Sequence, residues 1–171
     1  VKAYSIDDQE AAAFCETMSA ELRTPVEHVA DLAHAIRESD VCVTCTPAHE
    51  HFIDQSYVSP GTLVAAVGAD SPEKQEIDPR LLADNVVVVD LLDQCVMVGE
   101  LHHAIAAGLM TAADVHAELG DVVAGYVRGR SSDDEIIIFD STGTALQDAA
   151  AAVVAYERAV AGGHGTRFDF V

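Results

Sequence analysis

The sequence predicts an α/β fold on a doubly wound, mainly parallel sheet, and three observations carry that reading. Apolar patterning alternates between short compact runs and longer stretches with helical spacing, so strands and helices take turns along the chain. Leu63 to Val67, closed by Gly68, and Val86 to Asp90 are continuous apolar runs, which suits strands covered on both faces. At 171 residues, with 50% hydrophobic and 22% charged residues, the chain can bury one sizeable core.

The elements follow in order. Val1 to Tyr4 reads as a short strand. Asp7 or Asp8 then caps a helix through Met18, whose apolar side includes Ala11, Phe14, Cys15 and Met18. The patch Val26 to Val29 supplies a second strand and Asp31 to Arg37 a helix. Val41 to Thr46 is a compact strand ended by Pro47, which has no N–H to give to a ladder. After the strand at Leu63 come a short helix, Pro79 to Ala83, and the strand at Val86. Helices are expected over Leu91 to Ala107 and Thr111 to Ala124, followed by a strand over Ile136 to Phe139. A long helix from Thr144 to Ala161 closes the series, with Ala149 to Ala152 adding helix propensity.

Nine Lys and Arg against 29 Asp and Glu leave a net charge of −20, a field that repels phosphate backbones and anionic lipid. Nucleic acid is therefore not expected as a partner. The acids are spread along the chain and the basic residues are mostly Arg, which reads as a salt-adapted, halophilic surface, with an ordinary acidic protein as the alternative. No apolar run approaches the roughly 18 to 20 residues of a bilayer span, and no basic stretch leads into an apolar one. Neither a membrane segment nor a signal peptide is expected. Cys15, Cys42, Cys45 and Cys95 each sit in a hydrophobic stretch and read as reduced, buried residues of a cytoplasmic protein.

Ligands of open α/β sheets sit beyond the carboxyl ends of the strands. That points to Ser5 to Asp7, Thr44 to Pro47, Gly68 to Asp70, Asp90 to Asp93 and Asp140 to Gly143. Asp70 follows a buried strand and a glycine and precedes Pro72, so an acid–base role and an Asx-turn or cap fit the spacing equally. Phe139-Asp-Ser-Thr-Gly143 repeats that logic: its turn leads to a helix N-terminus whose free N–H groups can hold a polar ligand, or Ser141 or Thr142 simply caps the helix. Cys42-Val-Thr-Cys45 with His49 and His51 has metal-ligand spacing. Residues three apart on a strand face opposite sides, however, and no metal site is expected. His102-His103, beside Glu100, reads as helix surface, and Ser131 to Glu135 as a solvated acidic loop. No GxGxxG occurs in the sequence.

Longer motifs are more specific. Val41-Cys-Val-Thr-Cys-Thr-Pro47 is followed by Ala66-Val-Gly-Ala-Asp-Ser-Pro72 with Lys74, Glu76 and Asp78. Then come Glu118-Leu-Gly-Asp-Val-Val-Ala-Gly125, Gly129-Arg-Ser-Ser-Asp-Asp-Glu135 and Phe139-Asp-Ser-Thr-Gly-Thr-Ala-Leu-Gln-Asp148. In order and spacing these closely resemble the ornithine cyclodeaminase and mu-crystallin family, its archaeal alanine dehydrogenases above all, over essentially the whole chain. Glu73 stands where many members place glycine before the lysine.

The resemblance implies the C-terminal portion of such a protein: a Rossmann-like sheet lacking its first strand and glycine-rich loop. Residues 1–140 would form the incomplete dinucleotide-binding domain. Residues 141–171 would be a C-terminal helix and tail that pack toward an absent N-terminal substrate and dimer domain. The implied parent is a homodimer that moves a hydride between a nicotinamide cofactor and the α-carbon of a small amino or imino acid. An ammonia-eliminating cyclodeaminase and a non-catalytic, crystallin-like binding protein are the alternatives. By the same resemblance Asp70 is the catalytic acid/base, and Ser5, Asp7, Thr44, Thr46, Pro47, Val67, Gly68, Asp140, Ser141 and Thr142 line the cofactor. NADP-using relatives place an arginine just after the strand matching Val1 to Ser5. Here Asp7 and Asp8 stand there, so NAD is preferred over NADP.

In the strand order 3-2-1-4-5-6 the first strand lies in the middle, so a chain that starts at the second leaves a gap. The gap is expected to close because the Val1 to Tyr4 strand shifts inward, because a second copy supplies a strand, or because an upstream segment does. With no glycine loop to hold a pyrophosphate, the chain alone is expected to bind NAD weakly or not at all.

Overall fold

The computed structural model describes residues 1–168 and contains two parallel sheets. In the first, β1 (Lys2–Ala3) pairs with β2 (Glu27–His28) across the helix α1 (Asp8–Leu22). Asp7 starts α1 by accepting from the amides of Gln9 and Glu10 at 2.8 and 3.1 Å. The helix runs a turn past Met18 because Ser19 holds the returning chain: its hydroxyl accepts from the Val26 amide at 2.9 Å. It ends at Arg23, the one non-glycine residue described with positive φ, at 51°.

The helix α2 (Leu32–Arg37), capped by Asp31, leads to β3 (Val41–Thr44), the edge of the second sheet. That sheet also contains β4 (Leu63–Ala66), β5 (Val86–Val89), β6 (Ala117–Glu118) and β7 (Ile137–Asp140). Its order is β3-β4-β7-β5-β6, so the last strand in the chain inserts between β4 and β5. Val64, Val87, Val89 and Ile138 are buried there as the continuous apolar runs require. Helix α3 (Pro79–Ala83) adds Leu81 and Leu82 to this core, with Ile53 and Ile77 beside them.

Two expected helices are corrected. Leu91 to Ala107 is not one helix but two, α4 (Leu92–Val98) and α5 (Glu100–Ala106), broken at Gly99. The break frees the amides of Glu100 and Leu101 to donate to the buried Asp140 carboxylate at 3.1 and 2.8 Å. A Cβ on Gly99 would lie 2.5 Å from an oxygen of that carboxylate. Gly99→Ala is therefore expected to cost about 1–3 kcal/mol of stability, read from a urea denaturation midpoint. Thr111 to Ala124 likewise resolves into one turn at Ala112–Asp114, the strand β6 and the short helix α6 (Leu119–Val123). Thr111 and Asp114 cap each other and end that turn, and Ala117 and Glu118 pair with Val88 and Val89 of β5. Pairing with a distant strand overrides local helix propensity.

The inward shift of the first strand is also corrected. Among the described residues β1 pairs only with β2: the carbonyls of Val1 and Ala3 accept from the amides of Glu27 and Val29 at 2.9 and 3.0 Å, and these bonds anchor β1 beside β2. The two sheets stay separate, with a groove of about 520 Å³ between β1 and β3.

Helix α7 (Ala145–Gly162) begins at a reciprocal Thr144–Gln147 cap and ends at Gly163 in the left-handed region. None of its residues is buried, and Leu146, Val153, Val154, Tyr156 and Val160 are exposed. Of the stretch 141–171, residues 169–171 lie outside the described residues. No helix among the described residues is long and apolar enough to cross a membrane.

Candidate functional site at the carboxyl ends of the strands

Parallel register brings the strand ends into one row: Thr44 lies beside Ala66, Ala66 beside Asp140, and Asp140 beside Val89. The row is held from beneath by buried carboxylates rather than by cations. Glu76, with no exposed surface, accepts from the Thr44 hydroxyl at 2.6 Å, the Thr46 amide at 2.5 Å and the Gly68 amide at 3.0 Å. Glu100 accepts from the amides of Glu76 and Ile77 at 2.7 and 3.2 Å. Asp140 in turn accepts from the amides of Glu100 and Leu101. Asp140 thus fixes the backbone that carries Glu100, and Glu100 the backbone that carries Glu76. None of the ion pairs among the described residues involves these three acids.

Burial pushes the Glu100 carboxyl up to about 8 and the Asp140 carboxyl up to about 6, with the backbone donors opposing the shift and neighbouring carboxylates adding to it. Both values are raised in the folded state. Their contribution to stability is complete below the usual carboxylate range and is lost as pH rises through about 6 and then about 8. The urea midpoint of the chain is accordingly expected to fall between pH 5 and pH 8.5, and Glu100→Gln to flatten the upper part of that slope. A midpoint that rose across this range would contradict the assignment.

Asp90 organises the turn after β7. Its Oδ2 accepts from the amides of Thr142 and Gly143, both at 2.8 Å, and from the Ser141 hydroxyl at 3.2 Å. The turn amides expected to be free for a ligand are therefore engaged at Thr142 and Gly143. Ser141 and Thr142 are buried, and the Asp140 side chain is turned into the core. Gly68 is glycine for a structural reason, since a Cβ there would lie 2.5 Å from the Thr46 carbonyl and from a Glu76 oxygen.

Asp70 stands apart from the buried acids. Its carboxylate is exposed and pairs with Lys74 Nζ at 2.8 Å, and the hydrogen bond to that ammonium holds the carboxyl below the usual range. His103 is half-buried rather than on the helix surface: its Nε2 meets the Lys74 carbonyl at 2.7 Å and anchors this loop. His102 is likewise half-buried, with Nδ1 3.1 Å from the Val96 carbonyl.

Ser5, Thr44 and Thr46 border the groove between β1 and β3. Asp7, Pro47 and Val67 are exposed, Asp7 as the cap of α1. Asp7, Pro47, Val67, Gly68, Asp70, Asp140, Ser141 and Thr142 are not on the groove wall. The expectation of four buried cysteines is corrected: Cys15 and Cys95 are buried, Cys42 is half-buried, and Cys45 is exposed because β3 has ended and the chain is turning. Burial pushes the Cys42 thiol up to about 11, with the Glu76 charge adding to it. His51 meets Asp54 and Asp78, not the cysteines, with potential ligand atoms within 4.8 Å of one another.

Sequence reasoning missed the supporting roles of Glu76 and Glu100. The signal available was an acid directly before an apolar residue, Glu76 before Ile77 and Glu100 before Leu101.

Known proteins resemble this chain in sequence and in fold. A family model described as the ornithine cyclodeaminase/mu-crystallin family matches residues 1–163. The alanine dehydrogenase of Archaeoglobus fulgidus is 41% identical over 175 residues, covering 99% of this chain and 52% of the relative. The iminosuccinate reductase of Paracoccus denitrificans is 43% identical over 141 residues, covering 82% of this chain and 43% of the relative. Among solved structures, an archaeal alanine dehydrogenase dimer with bound NAD aligns with a TM-score of 0.91 at 39% identity, covering 100% of this chain and 52% of that one. The Thermococcus litoralis Delta(1)-pyrroline-2-carboxylate reductase in complex with NADH and L-proline aligns with a TM-score of 0.92 at 30% identity, covering 98% of this chain and 52% of that one. The chain spans about half the length of these relatives.

Proposed function

The chain belongs to the ornithine cyclodeaminase/mu-crystallin family, and we propose that it is the nucleotide-binding portion of an NAD-dependent oxidoreductase acting on a small amino or imino acid. The observation that carries this reading is the row of strand ends, pinned by Glu76, Glu100 and Asp140, with the exposed carboxylate of Asp70 on the loop after β4. The solved relatives with NAD or NADH bound support the cofactor class.

The residues present fit NAD. Asp7 and Asp8 follow β1, where a 2′-phosphate would meet two carboxylates. The nearby Lys2 is already committed to Glu38 at 2.7 Å. We assign Ser5, Asp7, Thr44, Thr46, Pro47, Val67 and Gly68 to the cofactor side of the site. Asp140, Ser141 and Thr142 contribute through the position of their turn.

When bound, the nicotinamide supplies a hydride acceptor or donor at the substrate α-carbon. Asp70 enters as a carboxylate, because Lys74 disfavours its protonated form. It accepts a proton from the substrate nitrogen in the oxidative direction and returns it in the reductive one. Gly68, held by Glu76, fixes the start of the loop that carries Asp70.

The exposed apolar residues of α7 are the surface we assign to the remainder of the parent subunit, whose assembly is a homodimer. We place the parent in the cytoplasm, with its cysteines reduced, and read its acidic surface as halophilic. The activity is tested with a chimera in which residues 1–171 replace the matching half of the Archaeoglobus fulgidus enzyme. NADH oxidation with ammonium and 2-oxo acids, or with cyclic imino acids, is the expected result. A soluble chimera with no turnover on either set would overturn the assignment.

A further inference from the structure

We propose that His103 is a positioning residue for Asp70: by holding the Lys74 carbonyl it seats the Lys74 ammonium on the Asp70 carboxylate. The contact stands on geometry alone, and its bearing on turnover rests on the base role proposed above for Asp70.

Asp70 and Lys74 are four residues apart, a spacing that makes neighbours of side chains on a helix. They are not on one, since no helix or strand covers residues 67–76. The loop must therefore bring the two together by its tethers. Glu76 closes it, taking the Gly68 amide with its side chain while Glu100 takes the Glu76 amide. Within the loop, the Lys74 amide donates to the Ser71 carbonyl at 3.1 Å and closes a turn from Ser71 to Lys74. The peptide group joining Lys74 to Gln75 is then held at both ends. Its N–H donates to the Ala48 carbonyl at 2.9 Å, and its oxygen accepts from His103 Nε2 at 2.7 Å. Released at the oxygen, that group can pivot about its N–H, and the direction in which the Lys74 side chain leaves the backbone changes with it.

His103 suits this task. It follows Glu100 by three residues on α5, whose start Asp140 pins through the amides of Glu100 and Leu101, so the imidazole projects from a fixed base. A carbonyl oxygen only accepts, so Nε2 carries the proton, and the neutral ring and the imidazolium both donate from it. The tether thus survives titration of His103 itself. Its ring neighbour His102, 5.3 Å away between centroids, is taken up with the Val96 carbonyl. In the ion pair the Lys74 side chain is 25% exposed and that of Asp70 60%, so the lysine is the fixed member and the carboxylate the accessible one. Exposed ion pairs are weak in part because two side chains must be ordered for them. Anchoring the lysine at its backbone removes part of that cost. No other cation among the described residues forms an ion pair with Asp70.

The chain has two lysines, so competitive acetylation read by mass spectrometry reports Lys74 against Lys2 at neutral pH. His103→Ala, and His103→Leu, which keeps bulk without a donor, are each expected to raise the Lys74 rate relative to Lys2 by about two- to fivefold, the range that loss of an exposed ion pair allows. His103→Gln, which keeps an Nε2–H donor at similar reach, is expected to restore the rate of the unsubstituted chain. Carbon NMR of labelled aspartate carboxyls then follows Asp70 through an acid titration, with Asp114, paired with Thr111, as internal reference. The Asp70 midpoint is expected to move up in His103→Leu and in Lys74→Met and to stay in place in His103→Gln, with Asp114 unmoved throughout. An unchanged Lys74 rate or Asp70 midpoint in a folded variant that lacks the His103 donor would overturn the proposal, as would a His103→Gln chain that behaves like His103→Leu. In the chimera, the acid limb of the kcat/KM profile is expected to follow Asp70. A limb that stays put while Lys74 and Asp70 respond would leave the positioning role in place and overturn the base role of Asp70 instead.

Discussion

Asp70→Asn in the chimera is expected to lower turnover by about 10²- to 10⁴-fold, the range typical of a positioned general acid or base. The substitution keeps the size of the side chain and removes its titration. Stability is expected to change little, because the carboxylate is exposed and its ion pair with Lys74 is a surface contact. Thermal unfolding measured beside the kinetics separates the two effects. Near-normal turnover would reduce Asp70 to a loop residue whose charge serves only Lys74.

Glu76→Ala is expected to have the opposite profile, with a loss of about 3 kcal/mol or more in a urea titration. Three donors lose their acceptor at once: the Thr44 hydroxyl and the amides of Thr46 and Gly68. Buried polar groups left unpaired are among the few causes of so large an effect from one substitution. Glu76→Gln, which retains one acceptor oxygen, should lose distinctly less. A Glu76→Ala protein as stable as the parent chain would show that water replaces the carboxylate and that the strand ends are not held as described.

The alternation of strands and helices was legible because each signal is local. Continuous apolar runs marked β4 and β5, and Asp31 and Pro79 marked helix starts where α2 and α3 begin. Where the sequence reading went astray, the cause lay far along the chain. Gly99 breaks a helix because Asp140, on another strand, needs the amides the break releases. Ala117 and Glu118 become strand because β5 offers an edge. The supporting carboxylates were hidden for the same reason: a buried glutamate is recognisable only when its donors are seen, and those of Glu76 come from two strand ends. Asp70 was visible as the polar end of a buried strand, but its pairing with Lys74 became visible only in the folded loop.

The most direct test of the nucleotide-binding assignment is a fluorescence titration of the chimera with NADH and with NADPH. Tighter binding of NADH is expected, because Asp7 and Asp8, which follow β1 on the proposed cofactor side, would repel a 2′-phosphate. Tighter binding of NADPH would contradict the reading of that strand end and, with it, the placement of the cofactor along this row.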